Sequence, residues 1–413
     1  MRTLGVRIGV LGLVMAAGLG GSVGSAGAVG APSPTVEERR LDQGVPREIL
    51  ARSGFDDVAP RFARELADAR SFGAARRAAV REGAALWRRA VDRAQGRGSA
   101  GGDLSRDDDR PLYWARLGMT RQARTWEPRF GLGAGQRAAL IASLERASRG
   151  QSDVRLPGGT GMRRVLVTGF DPFTLDRDIR ISNPSGASAL ALDGTVIRTP
   201  EGPARVETVV FPVRWRDFTD QTVERALRPY LRRVDLFTTV SQGRVGRFDV
   251  ERTNGAWRGG FGDNDNVGVT GTVPVTDPGS QPQWTTTTLP YRAIVAADTG
   301  RFPVYDNTSV TEIPAGGTEP VVRADGPTPG SAARAGGGGD YLSNEIAYRA
   351  TLLRDRLGLH DTLPGGHVHT PVLEFGAGNT DPATGAVTDP EFVRNRVDII
   401  GQVRAILAVA LHN

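Results

Sequence analysis

Four polar or Gly-containing turns in the second half of this chain carry side chains capable of chemistry. The first is Gly169-Phe170-Asp171-Pro172-Phe173, followed by Asn183-Pro184-Ser185, and the second is Ser241-Gln242-Gly243, followed by Phe248-Asp249-Val250-Glu251-Arg252-Thr253-Asn254. The third, Gly339-Asp340-Tyr341-Leu342-Ser343-Asn344, is Gly-rich and opens a helical pattern, and the last is His367-Val368-His369-Thr370-Pro371. Between them they offer a hydroxyl, an imidazole and a carboxylate, the minimum set for nucleophilic acyl transfer.

The elements around these turns are legible from patterning. Arg164 to Thr168 is a short, almost wholly apolar run suited to a central strand buried on both faces. Val206 to Val213, Val234 to Val240 and Val368 to Leu373 read as further strands. Trp215 to Arg232, Tyr341 to Arg356 and Pro390 to Leu411 read as helices, with a helical turn at Arg292 to Ala297. Strands alternating with helices predict an α/β domain over residues 163–413, an open, mostly parallel sheet with helices on both faces. In such sheets sites gather beyond the carboxyl ends of strands, which is where the four turns fall.

Residues 35–150 read differently. Phe62 to Arg70, Ala75 to Ala94 and Gln136 to Ser148 are rich in Ala, Arg, Glu and Leu, strong helix formers, with Gly96 to Arg110 as a loop. No repeat or chemical constellation stands out there, and the expectation is a helical N-terminal extension, serving as a cap, a packing extension or a pro-segment. Ahead of it, Arg2 and Arg7, the apolar run Ile8 to Ala17 and the small residues Ser25 to Ala28 make residues 1–28 a signal peptide, predicting a secreted protein with no membrane association after cleavage.

Composition narrows the chemistry further. The chain has 413 residues, 39% of them hydrophobic, and no cysteine, which excludes disulfides, thiolate metal sites and cysteine nucleophiles. The net charge of +6 is modest, and its arginines are scattered among acidic residues, so nucleic acid is not an expected partner.

The order of the turns resembles the pyroglutamyl peptidase I family, enzymes that remove an N-terminal pyroglutamyl residue with a Glu, Cys, His triad met in that order along the chain. The family's Gly-Phe-x-Pro-Phe is Gly169 to Phe173, its Asn-Pro-Ser is Asn183 to Ser185, and its Gly-Gln-x-Gly looks like Ser241 to Gly243. Its Val-Glu-Arg is Val250 to Arg252, its Asp-Asn-x-Gly is Asp265 to Gly268, and its Thr-Leu-Pro is Thr288 to Pro290. Its Gly-x-x-x-Cys-Asn is Gly339 to Asn344 with Ser343 at the nucleophile, and its His-x-Pro is His369 to Pro371.

The resemblance implies a Ser343, His369, Glu251 triad, with a peptide as substrate and no cofactor. It places Phe170, Phe173, Gln242 and Asn266 in the substrate pocket, the two rings walling a flat lactam. A serine at a helix start gains from unpaired N–H groups but still needs a base, and His369 oriented by Glu251 would supply it. Departures from the pattern are Glu345 where the family has His, Thr174-Leu175 where it has Gly-Gly, and a longer segment, Thr299 to Gly338, expected to include a flexible insertion.

Plainer readings stand beside these. Ser343 is also a residue favoured at helix termini, Glu251 could pair with Arg252 at the surface, and the two phenylalanines could be core. His367 and His369, two apart on a strand, point the same way and could hold a metal, but no third ligand stands at a fixed spacing, so no metal is expected. A non-catalytic pseudo-peptidase that binds peptide end groups is the alternative function.

Overall fold

The computed structural model describes residues 32–159 and 161–412. The stretch expected to be a signal peptide, residues 1–28, lies outside them. Residues from Pro32 onward form one compact unit, so the helical extension and the α/β part are packed together. No helix among the described residues is long and apolar enough to cross a membrane.

The N-terminal part comprises α1 (Val36–Arg39), α2 (Gly44–Ser53), α3 (Val58–Ala67), α4 (Phe72–Ala94), α5 (Arg110–Thr125) and α6 (Ala134–Ala147). Phe62, Leu66, Leu86, Trp87, Leu112, Leu140 and Leu144 meet in one apolar cluster that also takes in Ala189, Leu190 and Val210 from the α/β part. That shared cluster is why the two parts do not separate: dividing them would return much of this apolar surface to water.

The α/β part holds β1 (Arg163–Phe170), α7 (Pro184–Leu192), β2 (Val196–Thr199), β3 (Gly202–Phe211), α8 (Trp215–Thr219), α9 (Thr222–Leu231), β4 (Leu236–Gln242) and β5 (Phe248–Glu251). Two short antiparallel pairs follow, β6 (Thr253–Gly255) with β9 (Trp284–Thr286) and β7 (Trp257–Arg258) with β8 (Gly271–Thr272). Then come α10 (Tyr291–Ala296), β10 (Val304–Asn307), the small sheet β11 (Val310–Ile313), β12 (Val321–Arg323) and β13 (Ala332–Ala335), α11 (Leu342–Arg356), β14 (Gly365–Thr370) and α12 (Pro390–His412).

The main sheet has seven strands in the order β10-β5-β14-β4-β1-β3-β2. Its central pairs β14·β4, β4·β1 and β1·β3 are parallel, whereas β5 runs antiparallel to β14 and β2 antiparallel to β3. One face packs Val165, Val167, Val206 and Val240 against Ile399, Val403, Ile406 and Leu407 of α12. The other packs Leu166, Val209, Phe211 and Phe237 against α9 and α11 through Val223, Leu227, Ile346 and Leu353. Adjacent β1 residues alternate between the two clusters, and both are apolar, which explains the unbroken hydrophobic run. The open, mostly parallel sheet covered on both faces is therefore the fold.

Two expectations change in detail. The helix expected over Trp215 to Arg232 breaks at Asp220-Gln221, where Gln221 takes a left-handed φ of 59° and interrupts the helical turn. The segment Thr299 to Gly338, expected to include a flexible insertion, instead contains four strands, β10 to β13, and β10 extends the main sheet beyond β5. Its Gly and Pro residues mark the turns between these strands.

Candidate active site

β5 and β14 are neighbours in the sheet, with His369 in register with Asp249 and His367 with Glu251. This brings two residues distant in sequence into contact: His369 Nδ1 donates to Glu251 Oε1 over 2.7 Å. Both are buried, Glu251 completely, which removes the surface ion-pair reading; Arg252 pairs with Asp306 instead. A carboxylate can only accept, so the bond fixes the proton on Nδ1 and leaves Nε2 with its lone pair free. The other carboxylate oxygen accepts from Asn307 Nδ2 at 2.7 Å. Asn307 sits at the end of β10 and also donates to the Gly337 carbonyl at 2.9 Å. Sequence reading missed it because nothing in its local pattern announces an edge strand pairing with β5.

Ser343 is the second residue of α11, after the N-cap Tyr341. The first helical hydrogen bond runs from Glu345 N to Tyr341 O at 3.1 Å, so the amides of Leu342, Ser343 and Asn344 have no acceptor within the helix. The buried Asn344 side chain anchors this end of the helix, donating to the carbonyls of Gly255 (2.9 Å) and Trp257 (2.8 Å) and accepting from Gly255 N (2.9 Å).

The four glycines Gly336 to Gly339 thread between the helix end and the dyad. A Cβ on Gly336 would lie 2.2 Å from Asn344 Oδ1, one on Gly337 2.1 Å from Glu251 Oε2, and one on Gly338 2.8 Å from His369 Cε1. A side chain on any of these three would displace a site residue, whereas Gly339 has open space around it and is called for by its left-handed φ of 84°. The Ser343 hydroxyl donates to the carbonyl of Gly338 at 3.1 Å rather than to His369. Hydroxyl and imidazole thus both meet Gly338 and are not hydrogen-bonded to each other.

Beside Ser343 is a small cleft of about 30 Å³. Phe170, Phe173, Gln242, Tyr341 and Ser343 line it, so the structure brings two expected pocket rings, Gln242 and the serine to one place. Phe170 is at once cleft wall and core, since it stacks on Phe218 with ring centroids 6.1 Å apart. Asn266 is not among the lining residues; it is exposed and its side-chain oxygen accepts from Arg40 at 3.2 Å. The left-handed φ of 61° at Asn266 accounts for an Asn there, because Asn tolerates that region better than most residues.

The Asp171-Pro172 turn between the two phenylalanines is held from behind by the helical part. Arg116 of α5 bonds Asp171, and Arg149, just past α6, reaches the same carboxylate at 2.9 Å. Asn264 donates to the Pro172 carbonyl at 2.9 Å and to Glu37 at 3.2 Å. Burial and the neighbouring Arg149 together lower the pKa of Arg116. Asp109, also from the helical part, accepts from Asn183 N at 3.0 Å, and Asn183 donates in turn to the Asp171 carbonyl at 2.9 Å. None of these contacts was evident in the sequence, where Arg116 and Arg149 were two arginines among many.

His367 has both ring nitrogens engaged, Nδ1 with the Thr239 hydroxyl (2.7 Å) and Nε2 with the Ser241 hydroxyl (2.8 Å), so the pair with His369 is not arranged to share a metal. Burial, with His369 alongside, pushes the His367 pKa well below 6.5. The unfolded chain then takes up a proton that the folded chain refuses, so stability falls as pH drops below about 6.5, by up to about 1.4 kcal/mol per pH unit from this group. Asp109 and Asp193, whose carboxyls burial pushes up to about 7, contribute the opposite slope over the same range. The check is therefore the difference between wild type and His367→Gln, which keeps a polar partner for the hydroxyls. In urea unfolding from about pH 7 to 5 the variant is expected to gain on the wild type as pH falls, by up to about 1.4 kcal/mol per pH unit.

Residues 23–145 match the family model described as PA0049 N-terminal domain, and residues 164–278 and 302–374 match the one described as PA0049, C-terminal domain. The uncharacterized protein PA0049 of Pseudomonas aeruginosa is 35% identical over 90% of this chain and 88% of its own length. Among solved structures, pyroglutamyl peptidase I of Bacillus amyloliquefaciens is 18% identical, covering 61% of this chain and 98% of its own at a TM-score of 0.41. Pyrrolidone carboxyl peptidase of Thermococcus litoralis is 19% identical over 61% of this chain and 94% of its own, also at 0.41. A mutant pyrrolidone carboxyl peptidase of Pyrococcus furiosus is 22% identical over 60% of this chain and 99% of its own, at 0.42.

Proposed function

This chain belongs to the PA0049 family, and we propose that it is a secreted hydrolase that removes an N-terminal pyroglutamyl or similar cyclic acyl group from peptides, using Ser343, His369 and Glu251. The observation that carries the reading is the buried His369–Glu251 hydrogen bond of 2.7 Å, set one glycine away from a serine at a helix start. The motifs that resemble the family's follow one another in the same order along the chain. In the reaction, Ser343 Oγ leaves the Gly338 carbonyl, turns to Nε2 of His369 and attacks the acyl carbonyl as Nε2 takes its proton. The free amides at the start of α11 stabilise the oxyanion, a feature worth roughly 3–4 kcal/mol per donor. The imidazolium then protonates the departing amine. Water, deprotonated by the same imidazole, releases the acid and restores the serine. Catalytic hydrogen bonds often tighten only once substrate is present, so the resting Ser343–Gly338 contact is compatible with this path. Phe173 and Tyr341, with ring centroids 6.0 Å apart, wall the cleft that would take the ring.

The same two features, a hydroxyl turned away from the imidazole and a cleft of about 30 Å³, favour a second reading: a pseudo-peptidase that holds peptide ends without cleaving them. Purified protein incubated with a fluorogenic L-pyroglutamyl amide decides between them. Turnover in the wild type that Ser343→Ala abolishes is the expected result. Activity confined to Ser343→Cys would identify a scaffold that has lost its chemistry.

A further inference from the structure

Phe261 is 67% exposed, the most exposed aromatic side chain among the described residues, yet it is not on a loose loop tip. Gly259 N donates to the Asp340 carbonyl at 2.7 Å, and the Tyr341 hydroxyl donates to the Gly262 carbonyl at 3.1 Å, so the loop is fastened on both sides of the ring. Its ring stands edge-on to Tyr341, with centroids 5.8 Å apart, two residues before Ser343. Gly259 and Gly260 permit the approach, since a Cβ on either would lie 2.9 Å from the Asp340 carboxylate.

A second exposed apolar residue lies in a turn that abuts His369. Val245 is 61% exposed in the turn after β4. That turn is pinned by Gly243 N to the Thr370 carbonyl and by Val372 N to the Arg244 carbonyl, each at 2.9 Å. Gly243 itself abuts His369, because a Cβ there would come within 2.6 Å of the His369 Cβ. The flanking cations are not free to select an acidic group: Arg244 and Arg247 are both engaged by the buried carboxylate of Asp249, at 2.8 and 3.1 Å.

Single exposed apolar side chains are ordinary on a protein surface. What sets these two apart is that each stands on a fastened turn, Phe261 against Tyr341 at the start of the nucleophile's helix and Val245 in the turn whose Gly243 abuts the base. We infer that Phe261 and Val245 are the two sides of a leaving-group subsite, and that the preferred substrate carries a large apolar residue immediately after the scissile amide. This rests on the acyl-transfer reading of Ser343, and the subsite takes the part of the substrate that the cleft does not.

The test uses the full chain and two unlabelled peptides, L-pyroglutamyl-Phe amide and L-pyroglutamyl-Gly amide, followed by mass spectrometry. The Phe peptide is expected to be favoured about tenfold or more in kcat/KM, the scale of burying an aromatic side chain, with the difference in KM. Phe261→Ala and Val245→Ala are each expected to lower that ratio severalfold, whereas Val397→Ala, an exposed apolar change on α12, leaves it alone. Equal use of both peptides, or a ratio untouched by Phe261→Ala, overturns the subsite while leaving the hydrolase reading intact. Where neither peptide is turned over, the affinities of Ser343→Ala protein for the two peptides decide. A preference for the Phe peptide that Phe261→Ala removes sustains the subsite and sinks the hydrolase reading, and no preference overturns the subsite too.

Discussion

Glu251→Gln is expected to lower kcat on the order of 10⁴-fold while leaving the fold and KM nearly unchanged. The effect acts through the proton on His369. With a carboxylate opposite, Nδ1 must be the donor and Nε2 the base. An amide can present its NH₂ instead, which favours the tautomer with its proton on Nε2 and leaves no lone pair facing the nucleophile. The amide also lacks the negative charge that stabilises the imidazolium in the transition state. Folding is expected to survive, because Gln occupies nearly the same volume and can still meet Asn307 and His369. The check is a kcat and KM determination on the pyroglutamyl amide beside a near-ultraviolet circular dichroism spectrum. Equal kcat in wild type and variant would remove Glu251 from the mechanism.

Asp171→Ala is expected to cost about 3–5 kcal/mol of stability, because it strips the shared counter-charge from two buried guanidiniums, Arg116 and Arg149. Arg149 keeps Glu145 at 2.8 Å, so the heavier loss falls on Arg116. Among the described ion pairs, Arg116 has only Asp171. Domains are stable by about 5–15 kcal/mol, so this one change is a large part of the whole. The turn carrying Phe170 and Phe173 is the first structure to feel the loss. Guanidinium unfolding read by tryptophan fluorescence measures the stability, and a second variant, Arg116→Met with Asp171→Leu, separates charge from packing. If the helical part were a detachable pro-segment, Asp171→Ala would behave as an ordinary surface change, within about 0.5 kcal/mol of wild type.

The sequence made some of this site readable and hid the rest for definable reasons. The apolar run of β1 marks a central strand because it is buried on both faces, and the Gly-rich entry to α11 marks a helix start; both are local signals. The succession of Glu251, Ser343 and His369 is likewise visible as a pattern of types in order. What was not legible depends on distant pairings. Asn307 reaches Glu251 only because β10 lies beside β5. Arg116 and Arg149 reach Asp171 only because the helices dock behind the sheet, and scattered arginines give no sign of which ones are buried. Asn266 illustrates the converse: its motif suggested a pocket residue, while its left-handed backbone and its bond to Arg40 give it work in a turn, and it is not among the residues lining the cleft. The segment before α11 looked like slack chain because Gly, Pro and Thr serve equally for loops and for the turns of a small sheet.

Acyl transfer in this protein requires that Ser343 take the acyl group. Protein quenched in acid during turnover of an L-pyroglutamyl ester, digested and mapped by mass spectrometry, should carry one pyroglutamyl group on the peptide containing Ser343, and Ser343→Ala should carry none. An unmodified Ser343 peptide with the ester consumed, an adduct on another residue, or no reaction with the ester at all would contradict it.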